Sequence, residues 1–232
     1  VIRLATYNIL HGALKGLDAI AGALQAIDPD LVALQEVDRG VARSGGVDQA
    51  AWLASRLGFH HAFACACPWE GGEYGLAVLS RRPILATRIL RLPSRAILSL
   101  ADGAEPRILL AAEVEAPDGP LGLHVTHLGL HPTERVLQVE AIAGAVGGRP
   151  RTLLCGDLNE GHTEPAYGRL LAEGLVDCIG ECAPLPLRTY PAHAPTIGID
   201  HVLRSADLPP ASRARTLETD ASDHLPVAVD LG

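Results

Sequence analysis

Thr152-Leu153-Leu154-Cys155-Gly156-Asp157-Leu158-Asn159 is an apolar run that empties into a glycine, a carboxylate and a carboxamide. The aliphatic half has the composition of a buried strand that stops at a turn signal. Residues two apart in an extended chain point to the same side, so Asp157 and Asn159 are expected to leave the core together. Asp supplies a base or a hard oxygen ligand, and Asn supplies a donor and an acceptor whose charge does not change with pH. That pairing suits holding a phosphate beside a divalent cation. It is equally an ordinary turn in which both side chains bond nearby backbone.

The arrangement recurs along the chain, and the recurrence favours a site. Ile2 to Tyr7 runs into Asn8, Leu31 to Gln35 into Glu36, Leu121 to Thr126 into His127, and Thr196 to Ile199 into Asp200-His201. Asp223-His224 stands just before the strand-like Leu225 to Val229. Strand ends are rigid and face a crevice, so acidic, amide and imidazole groups gathered there are expected to form one site.

Between these runs the periodicity alternates. Leu17, Ile20, Ala21, Leu24 and Ile27 lie at helical spacing from Lys15 to Ile27, and Ala50, Ala51, Leu53, Ala54 and Leu57 repeat it from Val47 to Leu57. Short strands are expected at Tyr74 to Ser80, Ile84 to Leu92, Arg107 to Glu115 and Leu121 to His127, with turns such as Asp102-Gly103 between them. Pro132 to Val146 reads as a helix with Val136, Val139, Ile142, Ala143 and Val146 inward. Thr163 to Glu173 reads as another helix, and two closing strands end the chain. No Ser/Gly linker divides the halves, so residues 1–232 are expected to form one domain of two packed sheets with helices outside. The proline-rich stretch from Cys182 to Ala194 is the expected substrate-contacting rim.

Composition narrows the function. The 232 residues are 48% hydrophobic and 20% charged, as in a globular chain, and carry a net charge of -8. Lys15 is the sole lysine and the arginines are scattered, which argues against a duplex-binding surface. Aromatics at 3% argue against a stacking platform for single strands. The five cysteines lack the spacing of a zinc knuckle and read as reduced thiols, Cys155 as a core residue, with a Cys178–Cys182 disulfide as the alternative for an exported chain. No apolar stretch reaches membrane-helix length. A cytoplasmic protein is expected, with export left open because the chain contains no Met and its start reads as trimmed.

Taken in order, Tyr7-Asn8-Ile9, Gln35-Glu36, Tyr74-Gly75-x3-Leu79-Ser80-Arg81, Thr126-His127-Leu128, Gly156-Asp157-Leu158-Asn159, Ile199-Asp200-His201 and Ser222-Asp223-His224-Leu225-Pro226-Val227 resemble the endonuclease/exonuclease/phosphatase superfamily. The resemblance implies an α/β fold, a four-layer α/β sandwich of two packed, mainly antiparallel sheets flanked by helices. It also implies Mg2+-dependent hydrolysis of phosphate esters, with Mn2+ as a substitute, by in-line attack of water. By resemblance Glu36 is the metal ligand, with Asn8 and Asp223 in or beside the metal shell. Asp157 orients or deprotonates the water, and Asn159, His127, His224 and Arg107 hold the phosphate. Asp200 is the carboxylate partner of His224, and general-base work falls jointly to Asp157 and the Asp200–His224 pair. Glu73 is the candidate partner of His127, with Tyr74 in possible support. Where the family often places an acidic residue shortly after the asparagine, this chain has Ile9-Leu10-His11, and His11 reads either as a contributor or as a turn residue before Gly12. His201, next to Asp200 on an extended chain, is expected to point away from it.

The expected substrate is a small or lipid-derived phosphate ester, handled by a monomer. A metal-dependent nuclease is the alternative, placed second by the net charge. A silent phosphate-binding protein comes third, since the residue set is intact.

Overall fold

The computed structural model describes residues 1–94, 105–182 and 187–232. The chain runs β1 (Ile2–Asn8), α1 (Gly16–Ile27), β2 (Leu31–Arg39), α2 (Gln49–Leu57), β3 (His60–Trp69), β4 (Gly72–Ser80), β5 (Ile84–Arg91), β6 (Ile108–Val114) and β7 (Leu121–His127). It continues through α3 (Pro132–Val146), β8 (Thr152–Asp157), α4 (Pro165–Ala172), β9 (Leu175–Asp177), α5 (Cys178–Cys182), β10 (Asp200–Ser205), β11 (Ala211–Thr216) and β12 (Val227–Leu231).

The strands form two six-stranded sheets, β11-β12-β1-β2-β4-β3 and β5-β6-β7-β8-β10-β9. In each sheet one pair is parallel, β1 with β2 and β7 with β8. These are the pairs joined through a crossing helix, α1 or α3, as a parallel connection requires. Both sheets therefore repeat one pattern, and Asn8 and His127 occupy corresponding strand ends. Asn8 lies beside Gln35, and His127 beside Asp157.

Burial explains the sequence pattern. Leu153 and Cys155 of β8 face the other sheet, in a core with Leu4, Val78, Leu123, Val125, Val202 and Val229. Leu154 faces outward, under Val139, Ile142 and Leu170 of α3 and α4. A strand covered on both faces is apolar throughout, with each buried aliphatic side chain contributing about 1.5–3 kcal/mol. On the opposite side α1 and α2 lay Ile20, Leu24 and Leu53 over Ala5, Tyr7 and Leu34. The result is the expected four-layer sandwich.

Several boundaries differ from the sequence reading. β2 does not end at Gln35: Glu36 adopts φ +57°, the pairing with β4 shifts between Leu34 and Val37, and the strand continues to Arg39. Thr196 to Ile199 is not a strand, and β10 begins at Asp200. The segment pairs back on Tyr190 through Ile197 instead, and Gly198 passes so close to the Leu187 carbonyl that a Cβ would lie 2.0 Å from it. β3 was not expected, because its Ala, Cys and His residues lack a β-branched pattern and it is a partly exposed edge strand. β9, α5 and β11 were also unforeseen. In α3, Val136 is exposed, while Arg135 and Gln138 are buried because they bond the neighbouring loops. The fourth helix is shorter than expected, Pro165 to Ala172. The Asp102-Gly103 turn and residues 183–186 of the expected rim lie outside the described residues.

Candidate active site

β1, β2, β7, β8 and β10 bring their polar residues to one edge of the two sheets, and Asp157 stands at the centre. Gly156 makes that possible. Its φ is +141°, and a Cβ there would lie 1.9 Å from the Thr126 carbonyl oxygen, so only glycine lets β8 run this close to β7. Asp200 is paired across the sheet with Asp157, which sets it at the same edge although it starts a strand.

Asp157 Oδ2 accepts a hydrogen bond from Asn8 Nδ2 at 3.2 Å, with His127 Nε2 at 3.4 Å and His224 Nε2 at 3.6 Å. His224 Nδ1 lies 2.9 Å from Asp200 Oδ2, and Arg107 Nη1 lies 3.0 Å from His127 Nδ1. Asn8, Asp157, Asp200, His127, His224 and Arg107 are all buried. Six of the residues expected at the site therefore form one network.

The network fixes protonation states. A guanidinium only donates, so His127 Nδ1 accepts from Arg107 and its Nε2 carries the proton that faces Asp157. Burial, then the charges of Arg107 and His224, hold the His127 ring neutral. Burial works against a charge on His224, but Asp200 outweighs it and raises that imidazole to about 9. Burial and the Asp200 charge push Asp157 up from the ordinary carboxylate range. A cationic imidazole thus stands beside a carboxylate that gains a proton readily, with a guanidinium behind the neutral imidazole on its other side, an arrangement able to receive an anionic oxygen and exchange a proton with it.

The turn reading of Asp157 and Asn159 is also realised. Asp157 Oδ1 accepts from the Asn159 backbone N–H at 2.9 Å, and Asn159, at φ +51°, donates its amide to the Leu128 carbonyl at 2.9 Å. The two side chains are consequently not on a common extended face. Asn159 keeps its second amide hydrogen and its oxygen.

Glu36 forms the other half of the site. Its carboxylate accepts from Asn8 Nδ2 at 3.0 Å, so one amide bridges Glu36 and Asp157. Asn8 Oδ1 meanwhile accepts from the Leu10 N–H at 3.1 Å. Burial raises the Glu36 carboxyl, the Asn8 hydrogen bond opposes this, and Glu105 and Asp223 add to the rise. The guanidinium that acts on it, Arg107, is already engaged by Glu105 at 3.1 Å and by His127. A desolvated carboxylate within the field of half-buried Asp223, without a committed cation among the described residues, is a donor set that fits a hard divalent ion. Asp157, Asp200 and His224 also lie within ion-holding distance of one another, 4.8 Å, but the 2.9 Å Asp200–His224 contact is satisfied as a hydrogen bond.

Glu73 is not the partner of His127. Arg39 holds it, Nε donating at 2.6 Å, because the β2–β4 register sets Arg39 opposite Glu73. Tyr74 does reach the site: it is buried, and burial and Glu36 push its phenol up. His201 points away from Asp200 as expected. It is buried beside Tyr167 and His162, with Nε2 donating to the Glu160 carbonyl at 2.7 Å.

Four supporting residues were not anticipated. Glu105 holds Arg107. The ring centroid of Tyr190 lies 4.9 Å from that of His224. Ser222 Oγ donates to the Asn8 carbonyl at 2.8 Å, tying β1 to the Asp223-His224 segment. Gln49 donates to the His11 carbonyl at 2.8 Å. Two of them carried a signal: Ser222 as the first residue of the Ser222-Asp223-His224 motif, and Tyr190 as part of the Cys182 to Ala194 stretch expected to form the rim.

Comparisons with known proteins bear on the family and the fold. Residues 5–224 match the model of the Endonuclease/Exonuclease/phosphatase family. The uncharacterized protein YbhP of Escherichia coli strain K12 is 28% identical over 188 residues, 78% of this chain and 71% of that one. An endonuclease/exonuclease/phosphatase of Beutenbergia cavernae superposes with a TM-score of 0.79 at 24% identity, over 100% of this chain and 72% of its own. A mannosyl-6-phosphatase of Bacteroides thetaiotaomicron superposes with a TM-score of 0.77 at 21% identity, over 100% of both chains.

Proposed function

Because this chain belongs to the endonuclease/exonuclease/phosphatase family, and is therefore a hydrolase of phosphate esters, we propose that it cleaves a small or lipid-derived phosphate ester with Mg2+, or Mn2+ in its place. It does so as a single-domain monomer in the cytoplasm, where five free cysteines suit reducing conditions. The observation that carries the reading is the convergence of Asn8, His127 and His224 on one oxygen of Asp157, beside a cation-poor Glu36.

Glu36 and Asp223 would hold the divalent cation, with the Asn8 amide orienting the Glu36 and Asp157 carboxylates. When bound, the ion polarises the phosphoryl oxygens and neutralises charge that develops during in-line displacement. The chain's own residues perform the remaining steps. Arg107, His224 and the free amide hydrogen of Asn159 bind the non-bridging oxygens, Arg107 and His224 contributing positive charge. Asp157, its basicity raised by burial and Asp200, orients the attacking water and accepts its proton, and Asp200 keeps His224 protonated and correctly turned. His127, neutral, is held by Arg107 with its Nε2–H toward the reacting edge.

A small substrate is favoured over nucleic acid by the net charge of -8, since affinity for a duplex rests on cationic contacts to phosphates. The likeness to a mannosyl-6-phosphatase supports placing sugar phosphates early in a substrate panel. The test is hydrolysis of sugar phosphates, phospholipid head-group esters, an aryl phosphodiester, an abasic duplex and plasmid with Mg2+ or Mn2+. Turnover is expected on the first three and should vanish in Glu36→Gln and Asp157→Asn. Brisk plasmid nicking at physiological salt would make the protein a nuclease, and inertness across metals and substrates would leave a phosphate-binding protein.

A further inference from the structure

We propose that His11 supplies a nitrogen ligand to the divalent cation at Glu36, and that this ligand shifts the site's preference from Mg2+ toward Mn2+. The inference rests on the reading of Glu36 as the metal seat.

The turn after β1 is built to aim one side chain. Leu10, His11 and Gly12 take successive φ values of +44°, +42° and +71°, a left-handed course that costs energy at the two non-glycine positions. Such strain persists only where the surroundings over-determine it. Here Asn8 Oδ1 accepts from the Leu10 N–H at 3.1 Å, and the His11 carbonyl accepts from Gln49 Nε2 at 2.8 Å. Gln49 is buried, and its oxygen accepts from the Asp38 N–H at 2.9 Å, so the turn is clamped from two sides onto β2.

The clamped backbone carries the His11 ring toward Glu36. Nδ1 lies 4.0 Å from Glu36 Oε2, is shut off from solvent, and has no hydrogen-bond partner among the described residues. At 4.0 Å the two atoms are too far apart for a hydrogen bond. Two ligand atoms that each sit about 2.1 Å from one ion can be at most about 4.2 Å apart. One ion shared by Glu36 and His11 therefore accounts for the unsatisfied nitrogen, the spacing and the strained turn together. The ring's charged surroundings are Asp38, Asp223 and Glu105 against Arg43; Arg43 and Asp38 offset each other in a pair of 2.9 Å contacts and Glu105 is paired with Arg107, which leaves Asp223 beside Glu36 itself. What remains is negative, as a cation requires. Both ions are suited to oxygen ligands, but Mg2+ dehydrates reluctantly and keeps an oxygen shell, whereas Mn2+ is a first-row transition ion that also takes nitrogen, so a His in the shell costs Mg2+ more than Mn2+.

The test uses the full chain stripped with chelator. Mn2+ binding is followed by loss of the free-ion EPR signal, Mg2+ by competition, and nitrogen coordination by the 14N coupling of bound Mn2+. His11→Asn tolerates the left-handed backbone and preserves the turn, and His11→Asp replaces the nitrogen donor by oxygen; circular dichroism confirms that each is folded. In His11→Asn the 14N coupling should be lost and Mn2+ affinity should fall about tenfold or more, with Mg2+ affinity changed much less. His11→Asp should reverse the preference toward Mg2+. If Glu36→Gln abolishes Mn2+ binding while His11→Asn keeps both the 14N coupling and the Mn2+/Mg2+ ratio, the His11 assignment is wrong and the Glu36 seat stands. If Glu36→Gln binds Mn2+ normally, the seat itself is wrong.

Discussion

Asp200→Asn isolates the charge that holds His224 protonated. His224 Nδ1 lies 2.9 Å from Asp200 Oδ2, and both side chains are buried. Burial alone would lower this imidazole; Asp200, by charge and hydrogen bond, and then Asp157 raise it to about 9. The distance from an ordinary imidazole value of about 6.5 to about 9, at about 1.4 kcal/mol per pH unit, makes the preference for the protonated ring worth roughly 3 kcal/mol. Asn preserves shape and a hydrogen-bond acceptor but removes the charge. The folded value lies above the unfolded one, so the stabilisation is fully present below about pH 6.5 and is lost as pH rises through about 9. Asp157 moves the same way, because its upward push also comes partly from Asp200. In metal-free protein the stability gap between wild type and Asp200→Asn should be roughly 3 kcal/mol near pH 6 and should shrink toward pH 9.5. Urea denaturation at the two pH values measures the gap, and an NMR titration of the His224 Cε1–H resonance measures the cause. The reasoning is refuted if the His224 midpoint stays near 9 in the variant, or if the gap is the same at both pH values.

Other substitutions probe the frame. Gly156→Ala should cost about 3 kcal/mol or more in urea denaturation, because its methyl would lie 1.9 Å from the Thr126 carbonyl; a loss under about 1 kcal/mol would mean that β7 and β8 are not so closely paired. Arg135→Met leaves the Glu160 carboxylate buried without its 2.7 Å partner and should cost about 3–5 kcal/mol, largely recovered when Glu160→Gln is added; additive losses in the double-mutant cycle would deny the pairing. Glu73→Ala removes a partly exposed pair with Arg39, so kcat/KM should be unchanged and stability should drop by less than about 1 kcal/mol; a large loss of turnover would restore Glu73 to the site.

What could be read in the chain and what could not divide along a physical line. α1 and β8 were legible because burial on one face or two imposes a local period on the residues themselves, whereas α3 was legible as a helix but not in all of its buried face, where Arg135 and Gln138 replace Val136. Strand-end groups at Asn8, His127 and Asp157 were legible for the same reason, each closing an apolar run. Glu36 was found as a residue, but its position was misread, since a β-bulge is a property of the pairing with β4 and not of Leu34-Gln35-Glu36 alone. The partner of Glu73 was misassigned because cross-strand register, which a one-residue slip would change, sets it opposite Arg39. β3 escaped notice because an edge strand half in solvent needs no strict alternation.

The sequence by itself determined the fold class, the family and the identity of most groups at the site, because hydrophobic periodicity and motif order are properties of neighbours along the chain. Tertiary structure alone decided who touches whom: that Arg107 serves His127, that Asn8 bridges Glu36 and Asp157, and that His11 turns its ring toward Glu36. Those contacts join residues from 20 to 149 positions apart. Distance, burial and charge between such residues exist only once the two sheets have packed.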